Sequence, residues 1–306
     1  MGLIPMDMDL LPPSDDRVFK LLMTAPDSKP VLIDLIAAII RRAVIDVVVR
    51  NNELPLGDTD EKAARLDVNC IIDDGSQVAM EMQASYIEEL GIEHKNLKGK
   101  SIYYMCDLHS SQSSKGKRYE ELAQTYQVTF CCYTVFPELP VYVNSFSMRH
   151  DITNELLSDA VHVIYIELSK LKEILKKSVD EMTDLEKWAV FFRYANIPKY
   201  RETINKVIAS KEALKMAGES LMSVSKDERE RAIFRSRRMY QSDQDSNLAT
   251  AEYRGILIGE QRGEQKAALV IAGNMLKRNK PIEEIVEDTG LTREEVANLR
   301  ITTTQE

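Results

Sequence analysis

Glycine and proline are scarce, at twelve and ten in 306 residues, which excludes a low-complexity or collagen-like chain. Cysteine is scarcer still. Cys70, Cys106, Cys131 and Cys132 form no C-x-x-C pair, and no histidine stands at zinc-finger spacing from them. They are expected to be reduced, mostly buried thiols. No apolar run approaches the roughly 20 residues that span a bilayer. The longest candidate, residues 31–40, contains Asp34 and runs into Arg41 and Arg42. The first sixteen residues lack the basic start and apolar stretch of a secretion signal. A soluble, cytoplasmic protein with no membrane partner is expected. A surplus of positive charge is missing too: 40 basic residues against 49 acidic ones give a net charge of −9. That argues against bulk electrostatic binding of nucleic acid but leaves room for a local basic groove. What is present is 44% hydrophobic residues, enough for a real core, over a length that suits one large domain with appendages.

Hydrophobic spacing reads as helical over residues 14–49, split into two helices by Pro26 and Pro30, with a β-branched segment over 44–49 that could instead be a short strand. Residues 66–72 read as a strand, Asp73 to Ser76 as a turn, and 77–84 as the returning strand, with Asp-Gly as the hairpin signal. A helix is expected over 95–111. Strands are expected over 127–135, 141–148 and 161–167. From about residue 169 strand signals stop. Charged helices follow over 185–194, 199–217, 226–240 and 248–278, with 241–247 reading as a mobile linker. This pattern divides the chain into 1–170, an α/β core, 171–245, a helical extension, and 246–306, a long helix with a helix-turn-helix-like tail.

The hairpin holds the residues with chemical potential. Asp67 stands among Leu66, Val68, Cys70 and Ile71, where a carboxylate is costly to desolvate unless it is paired or binds a cation. A turn centred near Asp74 brings Asp67 within about one residue of lying opposite Glu81, and Gln83 shares the Glu81 face. Two facing carboxylates repel, and a hard divalent cation resolves the conflict. Mg²⁺ takes one or two carboxylates, a carbonyl and several waters, and it can polarise a phosphoryl oxygen and acidify a bound water. The same spacing also fits two acids on a solvated sheet face.

Five motifs in order carry a family resemblance. They are D-x-x-F-K (Asp16, Phe19, Lys20), R-L-D-V (Arg65 to Val68) and G-x-x-V-x-x-E-M-Q (Gly75, Val78, Glu81, Met82, Gln83). Next come a Y-Y helix with a later Q and G-x-x-Y-x-x-L (Tyr103, Tyr104, Gln112, Gly116, Tyr119, Leu122), and a strand ending in E-L-S-K (Glu167 to Lys170). Over roughly residues 14–170 the chain resembles the recombination-promoting nuclease (Rpn) family, a transposase-related branch of the PD-(D/E)XK nuclease superfamily.

The resemblance implies an α/β restriction-endonuclease-like core, a mixed central sheet flanked by helices, with an α-helical C-terminal extension. It implies that Asp67 and Glu81 hold Mg²⁺ or Mn²⁺, with the Met82 backbone carbonyl as a third ligand and Asp16 completing the site. Gln83 occupies the place of the superfamily's lysine, a departure the Rpn branch shares. A glutamine orients water through its amide but brings no positive charge to the developing phosphorane, so modest turnover is expected. Tyr104, Gln112 and Tyr119 match family positions near the site. Lys100 stands where the family commonly has arginine, keeping the charge without the planar fork.

Lys100, with Lys95, Lys98, Lys115, Lys117 and Arg118, could track a phosphate backbone, or form a solvated helix end beside Glu88, Glu89 and Glu93. Tyr104 also fits a core position and Gln112 a helix cap. The histidines His94, His109, His150 and His162 show no ligand spacing, and His109 is expected as an ordinary helix residue. Gly255, Gly259 and Gly263 recur every four residues, fitting either close helix–helix approach, as in a homodimer, or a broken helix. Gly290 is read as a helix end and Thr292 with Glu295 as a capping box. Its acidic start favours protein interaction over DNA reading. The functional expectation is a metal-dependent DNA endonuclease associated with recombination or mobile elements. The alternative is a catalytically silent nuclease-fold module that binds DNA or protein.

Overall fold

A computed structural model describes residues 3–50, 66–84, 92–116 and 118–303, with the side chains of 92–96 and 300–303 left aside. It divides the chain into two compact units, Met1–Phe234 and Arg235–Glu306.

The first unit is built on a six-stranded sheet of order β1-β2-β3-β4-β6-β5. Strands β1 (Val47–Val49), β2 (Val68–Ile72) and β3 (Gln77–Gln83) form an antiparallel meander. Strands β4 (Thr125–Cys131) and β6 (Leu156–Glu167) continue it in parallel with β3, and β5 (Val143–Arg149) runs back along β6 at the edge. The β2–β3 turn closes with Ile72 N–H on Ser76 O at 3.0 Å, and Gly75 supplies the positive φ of 85° that the turn demands.

The two faces of the sheet differ in character. One face presents Val68, Cys70, Val78, Met80, Met82, Val128, Phe130, Ile164 and Ile166 to helices α1 (Asp16–Thr24), α2 (Lys29–Ile40), α4 (Asp184–Tyr194), α5 (Arg201–Ala209) and α6 (Glu212–Lys226). Phe192 meets Phe19 and Phe130 there edge to face, and those two rings lie tilted on each other. Asp34, the charge inside the apolar run, accepts from Trp188 Nε1 at 2.8 Å and pairs with Lys211 at 2.6 Å. The opposite face lies under helix α3 (Ile92–Ser110) and carries Ala79, Glu81, Gln83, Thr125, Gln127 and Thr129.

The loss of strand signals near residue 170 is therefore not where the first unit ends. Helices α4 to α6 share the core of the sheet, because their apolar faces cover what α1 and α2 leave exposed. The expected helix over 199–217 breaks into α5 and α6 around Ser210 and Lys211, whose ammonium is drawn to Asp34 and Asp184. The linker expected over 241–247 is helical. Helix α7 runs unbroken from Glu228 to Lys277. Residues 241–247 hold no Gly or Pro, and Gln241 bonds Asp245 one turn on at 2.8 Å. Gly255, Gly259 and Gly263 lie within the same helix and do not break it.

In the second unit α8 (Ile282–Thr289) and α9 (Arg293–Thr303) pack with the end of α7 around Ala272, Ile285, Leu291 and Val296. Gly290 ends α8 with φ 69°, and Thr292 and Glu295 bond each other's backbone amides, as the capping-box spacing requires.

Candidate functional site

The ladder between β2 and β3 pairs Val68 with Met80, so the next step sets Asp67 opposite Glu81. Both residues hold the junction from either side. Asp67 N–H donates to Glu81 Oε1 at 3.0 Å, and Met82 N–H donates to Asp67 Oδ2 at 2.9 Å. Gln77 N–H bonds Gln124 O and Gln83 O accepts from Cys132 N–H, both toward β4. Strand alternation therefore turns the Met82 peptide the other way, toward the start of β2.

Glu81 is only 3% exposed, and Lys100 from α3 donates to its Oε2 at 2.8 Å. The Lys100 ammonium also stands 5.0 Å from the centre of the Tyr104 ring. Glu81, Gln83, Lys100, Ser101, Tyr104, Gln127, Thr129 and Leu97 line a crevice beneath α3 that is too tight to hold a water molecule.

The electrostatics single out Asp67. Burial, then the Glu81 charge, push its carboxyl up from 3.8 to about 7, and Asp16 adds to the rise. The Met82 amide and Lys100 pull the other way without prevailing. Asp16 opens α1, behind an Asp15 cap that accepts from the Arg17 and Val18 amides, and is close enough to act on Asp67 through its field. Burial alone would lower Lys100, but the Glu81 carboxylate outweighs it and raises the ammonium above its ordinary value.

The site thus gathers three acids and one base, with negative charge in excess and oxygen as the donor atom throughout. That chemistry fits a hard divalent cation. Among the described residues no group of three or more His, Cys, Asp or Glu side chains stands ready-arranged for a metal ion. The carboxylates with the Met82 carbonyl would leave much of a cation's shell to water.

Replacing Lys100 with methionine leaves Glu81 buried without its cation. Since Lys100 is itself more than a third exposed, the expected loss is about 1–2 kcal/mol at pH 8, measured by urea denaturation in EDTA.

Other sequence candidates fall elsewhere. Gln112 bonds Ala123 at both its amide nitrogen (3.0 Å) and its oxygen (2.9 Å), and Thr125 at 3.0 Å. Thr125 pairs with Gln77, which puts this anchor about 13 Å along the strands from Glu81 at roughly 3.3 Å per residue. His109 shares Thr125 at 2.9 Å. Lys98 caps the Phe136 ring, Lys115 is exposed, and Arg118 is engaged by Glu120 and Glu121. Tyr119 is exposed. Arg65, Glu88, Glu89 and Lys117 lie outside the described residues, and the side chains of Glu93, His94 and Lys95 are likewise not described.

The E-L-S-K end of β6 is a structural lock. Glu167, fully buried, accepts at Oε1 from the Val135 and Phe136 amides (2.5 and 3.1 Å) and at Oε2 from Asn144 and Lys170 (2.6 and 2.7 Å). Sequence reasoning passed over Gln127 altogether. Its signal was the alternation of Gln127 and Thr129 at the start of the strand expected over 127–135, continued by Thr125 just before it.

A mixed sheet whose hairpin aligns two carboxylates under a single crossover helix, with helices on both faces, is an α/β fold of the PD-(D/E)XK nuclease kind. The chain belongs to the PD-(D/E)XK nuclease family transposases, which it matches over residues 13–251, in agreement with the Rpn resemblance. No curated protein and no solved structure gives a significant match. Membership supports a nuclease-like function and, with it, DNA as a partner. Among the described residues no helix is long and apolar enough to cross a membrane.

Proposed function

We propose that the protein is a divalent-metal-dependent DNA endonuclease that hydrolyses phosphodiester bonds, acting in the cytoplasm in recombination or on mobile elements. What carries the reading is the Asp67–Glu81 pair, with the Asp67 carboxyl driven up to about 7 by burial and by its neighbour's charge. An acid pair under such strain gains most from a cation.

Asp67, Glu81 and the Met82 carbonyl would hold Mg²⁺ or Mn²⁺, with Asp16 contributing charge from the end of α1. Bound there, the ion supplies Lewis-acid polarisation of the phosphoryl group and a more acidic water. The chain's own residues supply the rest. Gln83 orients the attacking water through its amide. Lys100, held at the site by Glu81, supplies the positive charge that Gln83 lacks and stabilises the charge building on the phosphoryl oxygens. Hydrolysis joins the water oxygen to phosphorus and breaks one P–O ester bond, the leaving oxygen gaining a proton. Tyr104 walls the site beside Lys100. Lys115, Lys117 and Arg118 would follow the DNA backbone beyond α3, with Gln112 anchoring the end of that helix. Cutting both strands takes two sites, which a homodimer through the helical C-terminal region provides.

The test is cleavage of supercoiled plasmid, single-stranded DNA and RNA with Mg²⁺, Mn²⁺, Ca²⁺ or EDTA. The proposal expects plasmid nicking with Mg²⁺ or Mn²⁺ and none in EDTA. DNA retained on a gel but uncut with every metal would favour the catalytically silent binding module instead.

A further inference from the structure

Strand β4 carries a residue that the roles above leave unused. Thr125 is bonded by His109 and Gln112, and Thr129 lies 3.5 Å from Ser101 Oγ, so both threonines are engaged from α3. Gln127, between them on the same face, is 1% exposed, and neither its Oε1 nor its Nε2 has a hydrogen-bond partner among the described residues. A buried amide without a partner is destabilising, and a leucine or methionine would fill the same place without that penalty. The amide lies in the wall of the tight crevice shared with Glu81, Gln83 and Lys100. Its register partner is Ala79. Glu81, two residues on from Ala79, is the diagonal neighbour of Gln127.

Glu81 is held by two donors, the Asp67 amide on Oε1 and Lys100 on Oε2. The second hold is the vulnerable one, because Lys100 and a bound cation are both positive and compete for the same oxygen. Carboxylates that ligate metals are ordinarily steadied by a further hydrogen bond, whose loss weakens metal affinity. On this wall Ser101 and Thr129 are near each other, and Gln127 is the donor left over.

We propose that Gln127 is a positioning residue for Glu81, whose amide takes over the carboxylate from Lys100 when a divalent cation is bound. The inference rests on the metal-dependent reading above. It explains why an amide is kept where an apolar side chain would serve the fold better.

Mn²⁺ titrated calorimetrically into the full chain tests it, using wild type, Gln127→Leu and Gln127→Met, with melting temperatures in EDTA measured on all three. Both variants are expected to melt at or above the wild-type temperature in EDTA and to bind Mn²⁺ roughly 10–100-fold more weakly. Unchanged Mn²⁺ affinity in both variants overturns the inference and leaves the nuclease reading intact. A lower melting temperature in EDTA for both also overturns it, by making Gln127 a prop of the fold. A wild type that binds no Mn²⁺ overturns the underlying reading and the inference with it.

Discussion

Asp67→Asn should lose at least about 10²-fold in cleavage rate, the scale already reached by changing groups that only support a metal ligand, while becoming more stable than wild type at pH 8 in EDTA. The two effects have one cause. In the folded chain the Asp67 carboxyl sits near 7, against 3.8 for a free side chain. Between those values the folded state holds a proton that the unfolded chain has released. Stability therefore falls as pH rises from about 4 to about 7, and the full penalty stands above that window. Asparagine keeps an oxygen for the Met82 amide but carries no charge to desolvate or to repel Glu81. A gain of roughly 1–3 kcal/mol at pH 8 follows, after allowance for solvent and relaxation. The gain should vanish near pH 4. Urea denaturation in EDTA at pH 4.5 and pH 8 reads both values. A variant less stable than wild type at pH 8 would mean that the carboxylate is welcome in its place and strains nothing.

Glu167→Ala should be the most damaging single change for the fold. It leaves the nearly buried Lys170 ammonium with only the Phe136 and Leu139 carbonyls and no counter-charge, and strips the Val135 and Phe136 amides of their acceptor. Removing one member of a buried, fully bonded ion pair costs about 3–5 kcal/mol, a fall in melting temperature of roughly 6–20 °C for a unit of this size. The damage should reach the site as well. Gln83 pairs with Cys131 across β3 and β4, and Cys131 pairs with Glu167 across β4 and β6. Glu167 therefore fixes the strand ends from which Gln83 projects. Replacing both partners, with Glu167→Leu and Lys170→Met, should recover much of the loss, because no buried charge is left alone. Equal stability of Glu167→Ala and wild type in urea would contradict this reading of the lock.

The hairpin was legible in the sequence because its information is local. An Asp-Asp-Gly turn between two alternating strands fixes the register within a residue, and the register sets Asp67 against Glu81. The helices α1, α2, α4 and the capped start of α9 were legible for the same reason, from spacing and cap residues. The order of the sheet was not, since the parallel pairing of β3, β4 and β6 depends on contacts far apart in the chain. Lys100 could be named as a charge near the site, but not as the partner of Glu81, because that contact depends on where α3 lands on the sheet. Gln127 is the sharpest case. Its isolation is a property of what α3 places opposite it, and no spacing rule reveals a partner that is missing. The segment 241–247 misled in the opposite direction, since a polar composition without Gly or Pro is as good for an exposed helix as for a linker.

The central claim is that phosphodiester cleavage runs through the Asp67–Glu81 pair. Nicking of supercoiled plasmid in Mg²⁺ by wild type beside Asp67→Asn, both confirmed folded by their urea transitions, tests it most directly. The account predicts metal-dependent nicking by wild type and its loss in the better-folded variant. Nicking that survives in Asp67→Asn would place the chemistry elsewhere and contradict it.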